Sequence, residues 1–261
     1  LLDDLEPYLR GSRSNDLRAS VHGHRGMVLT KQGELDPAKK EFQESLRFAR
    51  RAHSGARQVV ALQNLGANAM ARGREREALR WFGKAVEIAD GLGDRNRLKI
   101  LRAAQGNAFS ASGDWQQGSE EFAAAARLAA ELGDITGEAE AWANVAACWS
   151  KLGRPEEALK LIEQSLSGPA TDVSPEWRAA QLRNLGEILE QLDEPEEALL
   201  RLDEASRLAE DPELRDEALK RAAEIALAHP GIAERALDFL DRSLELQREL
   251  GTSVDVAWRA A

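Results

Sequence analysis

A chain of 261 residues that is 43% apolar and 31% charged is too apolar to be disordered and long enough to bury a substantial core. No apolar run approaches the roughly eighteen residues that a membrane span needs, and a single cysteine, Cys148, excludes an internal disulfide or a cysteine-held zinc. The formal net charge of −10 is unevenly divided. Lys+Arg against Asp+Glu is 21 to 16 over residues 1–130, a net of +5, and 14 to 29 over residues 131–261, a net of −15. The lone cysteine fits a cytoplasmic setting.

Leu1 to Arg10 is apolar at Leu1, Leu2, Leu5 and Leu9, the spacing of one helical face, and is expected to end a preceding element (1–14). Six helix pairs follow, at about 15–54, 55–94, 95–134, 135–174, 175–211 and 212–250. Pro37 sits in the first turn of a second helix, where its missing N–H costs nothing. Gly93-Asp94 and Gly133-Asp134 repeat one junction, a left-handed glycine ending one helix and an aspartate capping the next. After the fourth pair SGPATDVSP replaces that junction, with Ser174 as N-cap and Pro175 at the first helical position. Around His229-Pro230-Gly231 the sixth pair is two residues short. The ending resembles the start of a further first helix at 252–261 and the beginning has no methionine or leader, so the sequence predicts a piece of a longer chain.

The pairs are copies of one unit. Gly26, Gly66, Gly106, Ala146 and Gly186 recur every forty residues, as do Ala38, Ala78, Gly118, Ala158 and Ala198. A turn column of Gly33, Gly73, Gly113, Gly153 and Asp193 lies between them, and a bulky column of Phe42, Phe82, Phe122, Ile162 and Leu202 follows. Small residues let two helices approach, the turn glycine ends the first helix, and the bulky residue fills the seam. Repetition at this period predicts a solenoid.

These residues resemble the tetratricopeptide repeat family. Trp142, Val145, Ala146 and Trp149 match its W-x-x-L-G/A-x-x-Y first helix, and Ala78, Phe82 and Ala85 match its A-x-x-x-F-x-x-A second helix. The resemblance covers nearly the whole chain and is greatest to the long-repeat variety seen in kinesin light chains and bacterial STAND-type regulators. It implies an all-α, right-handed α-solenoid of about six antiparallel helical hairpins forming a single domain. It also implies a concave groove, lined by the first helices, for a protein or peptide.

Catalytic signatures are missing: there is no phosphate loop, G-x-G-x-x-G, G-x-S-x-G or H-E-x-x-H. His22 and His24 are two apart on a helix and cannot share a metal, and Glu156-Glu157 and Glu196-Glu197 stand where carboxylates stabilise a helix N-terminus. The chain is therefore expected to be no enzyme, to need no cofactor, and to bind neither specific nucleic acid nor membrane. The informative column is His24, Asn64, Ala104, Asn144 and Asn184, two residues before the small one. A primary amide can both donate to and accept from a peptide unit, and asparagine is otherwise a poor helix-interior residue. Bonding to the neighbouring repeat explains the column equally well. Gln63, Asn107, Arg183, Glu187 and Lys151 extend the same candidate groove. A carboxylate clamp is disfavoured, because its basic positions hold Ala103, Ala180 and Asn184.

The expected role is that of sensor or scaffold arm of a larger regulatory protein. Weak head-to-tail self-assembly driven by the charge division is one alternative. Control of an attached nucleotide-binding or protease domain is the other.

Overall fold

The computed structural model describes residues 14–167 and 174–250. The helices expected at Leu1–Arg10 and 252–261, and the middle of the link after the fourth pair, lie outside the described residues. Those residues form twelve α-helices and one 3₁₀ segment, with no strand among them. The helices are α1 (Asn15–Lys31), α2 (Leu35–Arg51), α3 (Gly55–Ala71), α4 (Glu75–Gly91), α5 (Arg95–Ala111), α6 (Trp115–Leu132), α7 (Ile135–Lys151), α8 (Pro155–Ser167), α9 (Pro175–Gln191), α10 (Pro195–Leu208), α11 (Pro212–Ala228) and α12 (Ala236–Glu249).

The chain divides into two compact units at Asp134–Ile135, α1 to α6 in the first and α7 to α12 in the second. Within each unit every helix packs on its neighbours in sequence. The first helices of successive hairpins also meet, α1 with α3 and α3 with α5 in one unit, α7 with α9 and α9 with α11 in the other. Each unit is thus a tandem array of helical hairpins with the odd-numbered helices sharing one face.

Local chemistry sets the ends. Ser14, Asp94 and Ser174 cap α1, α5 and α9 by accepting from the N–H groups of Leu17, Arg97 and Trp177 at 3.3, 2.9 and 3.1 Å. After α1, Gly33 N–H donates to Thr30 O at 3.0 Å and Glu34 N–H to Leu29 O at 2.9 Å, closing the orphaned carbonyls. That closure needs a left-handed residue at the turn. Gly33, Gly73, Gly113 and Gly153 supply it, and Asp193 takes the same conformation at φ 61°, which a short polar side chain tolerates.

The seams explain the columns. A Cβ on Gly26, Gly66 or Gly106 would lie 2.3–2.7 Å from the ring of Phe42, Phe82 or Phe122 respectively. Where the fourth hairpin has Ala146 instead, the partner is the slimmer Ile162, and both are fully buried. In the sixth hairpin the two-residue loss is absorbed by a 3₁₀ segment, Pro230–Arg235, which delivers Ala236 into the core at the start of α12.

Gly118 breaks the alanine column. A Cβ there would lie 2.5 Å from Ser110 Oγ, which can rotate, and 3.3 Å from Gly106 O. The fourth hairpin has Ala158 with Ser150 at the same register, so the two residue types coexist. Alanine is favoured over glycine inside a helix by about 1 kcal/mol, so Gly118→Ala is expected to stabilise by about 0.5–1 kcal/mol. A higher urea midpoint would show this, and a lower one would mean that Ser110 cannot turn away.

Candidate functional site

On α3 the core takes residues that include Val59, Leu62, Leu65, Gly66 and Ala69, and the residues left outside or half-outside include Ala56, Val60, Gln63, Asn64, Ala67 and Ala71. The equivalent stripe on α1 carries Ser20, His24, Met27 and Lys31, and on α5 it carries Ile100, Ala103, Ala104 and Asn107. Between α1 and α3 the face opens into a cavity of about 170 Å³. Ala19, Gly23, Met27 and Val60 form its apolar wall, and His24, Arg57 and Asn64 its polar rim. Met27 and Val60 are 50% and 39% exposed, more than a core residue could be.

The predicted polar column separates into two kinds. Asn64 and Asn144 are half-buried and have no side-chain hydrogen bond among the described residues, as is also true of the exposed Asn107. Asn184, by contrast, donates from Nδ2 to Gln181 Oε1 at 3.2 Å, and His24 donates from Nδ1 to the Ser20 carbonyl at 2.8 Å. Gln63 Oε1 accepts from Arg97 Nη1 at 3.0 Å, which ties a guanidinium on α5 to α3, a cation that the sequence reading did not single out.

In the second unit the predicted charges are occupied with one another. Lys151 Nζ donates to Glu187 Oε2 at 3.2 Å from α7 to α9, and Arg183 Nη1 to Glu217 Oε2 at 3.0 Å from α9 to α11. Arg221 bridges Glu190 and Glu224. Burial works against its charge, but the Glu224 hydrogen bond and the pull of Glu190 and Glu187 outweigh it and hold its pKa above the ordinary arginine value. In the first unit the same helix face opens, beside the ion pair Arg57–Asp16, into an apolar-lined cavity, and in the second it is laced by several ion pairs.

His22 Nδ1 meets Glu41 Oε2 at 2.7 Å and its ring stacks on Phe48, away from His24, so the two histidines serve different partners. Cys148 is buried in α7. No group of three His, Cys, Asp or Glu among the described residues is placed to hold a metal, and no described helix is long and apolar enough to cross a membrane.

The geometry agrees with what the chain is similar to. The tetratricopeptide repeat model matches residues 17–91, and the soluble NSF attachment protein (SNAP) model matches residues 99–234, just over half of the chain. Among curated protein sequences the chain finds no match. Of solved structures, BtubC (BKLC) from P. vanneervenii superposes with a TM-score of 0.71 at 18% identity, over 85% of this chain and 94% of that one. The quorum sensor NprR from B. thuringiensis gives 0.72 at 14% identity, over 94% and 69%, and NprR in complex with its cognate peptide NprX gives 0.67 at 14%, over 95% and 72%. RapI gives 0.77 at 10%, over 95% and 68%. With hairpins, turn column and seam column all in place, the chain belongs to the tetratricopeptide repeat family, and over residues 99–234 it belongs with the soluble NSF attachment proteins.

Proposed function

We propose that the chain is a non-catalytic module that binds a peptide or an extended segment of another protein on its first-helix face. The observation that carries this reading is the half-buried, unbonded amide of Asn64 beside a side-chain-sized cavity. An amide held on a rigid helix with free donor and acceptor groups can bracket a peptide unit whatever its side chain. The solved pairing of NprR, a protein of the same fold, with a peptide supports the same reading.

The test uses peptides selected on the whole chain from a displayed library of random dodecapeptides. A neutral hydrogen bond contributes about 0.5–1.5 kcal/mol. Asn64→Ala is expected to weaken the selected peptides by about three- to tenfold, without lowering the thermal midpoint. If the variant bound normally and only its stability fell, the amide would be structural and the groove reading would be wrong.

A further inference from the structure

Dividing the charge by helix rather than by half of the chain gives a sharper pattern. Over α1, α3 and α5 Lys+Arg outnumber Asp+Glu by 8 to 1, whereas over α7, α9 and α11 the count is 6 to 9. The single acid, Asp16, is taken by Arg57. The acids of the first unit sit instead on the second helices and links, where Glu131, Asp134 and Glu121 draw Arg95, Lys99 and Arg102 to themselves. Arg97 is different. Its guanidinium has a neutral amide, Gln63, as its hydrogen-bond acceptor and has no carboxylate partner among the described residues. A half-buried cation on α5 without an acid, an unbonded amide on α3 and an apolar cavity between α1 and α3 therefore lie on successive first helices of one unit.

Building on the groove reading, we propose that the first unit alone carries the binding face and that its ligand is an acidic segment of a partner protein. One aliphatic side chain of that segment fills the cavity against Met27 and Val60, a backbone amide pairs with Asn64, and a carboxylate pairs with Arg97. An Arg–carboxylate pair has two parallel N–H donors to offer and is stronger than a neutral hydrogen bond. The net positive charge of the first unit, 19 Lys+Arg against 15 Asp+Glu over residues 14–134, steers an acidic segment toward it and repels a basic one. The second unit lacks the equivalent vacancy, because Lys151 and Arg183 already hold Glu187 and Glu217. Nucleic acid fits less well: backbone phosphates need several free cations in a row, and three of the four on α5 are held by carboxylates.

The experiment reads the composition and site dependence of the selected dodecapeptides on the whole chain. Enrichment of Asp and Glu around one aliphatic residue is expected, with affinity falling about tenfold for Arg97→Gln, as loss of one charge-assisted bond implies. Val60→Glu, at an exposed position, is expected to abolish binding while circular dichroism shows an intact fold. Arg76→Gln removes the same charge from the second-helix face, at an exposed residue of α4, and is expected to leave binding nearly unchanged. Neutral or basic peptides that Val60→Glu still blocks would overturn the acidic ligand and leave the groove reading standing. Peptides that ignore both Val60→Glu and Asn64→Ala would overturn both. Tighter binding of an oligouridylate than of the acidic peptides, or self-association of the chain abolished by Arg97→Gln, would assign the face to nucleic acid or to another copy and overturn the proposal.

Discussion

Replacing Phe82 with alanine is expected to lower the stability of the first unit by about 3–5 kcal/mol, the range for truncating a buried aromatic ring. The ring is 3% exposed and lies over Gly66 in the space that a side chain there would fill. The complementary change, Gly66→Ala, is expected to cost about 1–3 kcal/mol, because the new methyl would sit 2.3 Å from Cε1 of the buried Phe82 ring, which must shift to admit it. The chain already contains the compensated version, Ala146 over Ile162 in the fourth hairpin. Gly66→Ala combined with Phe82→Ile should therefore recover most of the loss, ending within about 1.5 kcal/mol of the parent as volume-conserving exchanges do. Urea unfolding followed by far-UV circular dichroism, with amide exchange on α3 and α4 to localise the effect, measures all three variants. A Gly66→Ala protein as stable as the parent would show that small residues in this column are not there to admit the ring.

That seam was legible in the sequence because packing at an interhelical contact leaves a size pattern at a fixed period, small then large, sixteen residues apart as in Gly66 and Phe82. Helix ends were legible for a similar reason: caps and left-handed turn residues act within four residues of themselves. The site was legible only in part. Asparagine inside a helix is conspicuous, so the column was found, but whether each amide is free depends on groups far along the chain. Lys151 and Glu187 are 36 residues apart and Arg183 and Glu217 are 34 apart, and no local pattern announces either pair. Val60 and Ile100 went unnoticed for the opposite reason, since an exposed valine beside the buried Val59 differs from it in no property except register. The sorting of charge between first and second helices was present in the sequence. Counting by halves mixed the basic odd helices of the first unit with its near-neutral even ones, 9 Lys+Arg against 10 Asp+Glu over α2, α4 and α6, and concealed it.

In the last hairpin, Asp216→Asn is expected to destabilise by about 1–3 kcal/mol at neutral pH, the usual cost of losing a charged, largely buried hydrogen-bond acceptor. Asp216, on α11, is the acceptor that ties α12 down: Ser243 Oγ donates to Oδ1, Gln247 Nε2 donates to Oδ2 at 3.2 Å, and Lys220 Nζ lies 2.7 Å from Oδ2. Burial alone would raise the pKa of this carboxyl. The hydrogen bonds from Lys220, Ser243 and Gln247 and the Lys220 charge outweigh it and hold the pKa below the ordinary aspartate range. A folded-state pKa lowered in this way contributes stability that is complete above the unfolded value of about 3.9 and is lost as pH falls through the folded value below it. Amide exchange in α12, corrected for the intrinsic pH dependence, should thus show protection constant from neutrality down to about pH 4 and declining beneath it. The Asp216→Asn chain should begin with the weaker protection and lack that decline, having no proton to gain. Equal protection of α12 in the two proteins at neutral pH would mean that the helix is held by Phe239 and Leu246 in the core, with the Asp216 cluster contributing nothing measurable.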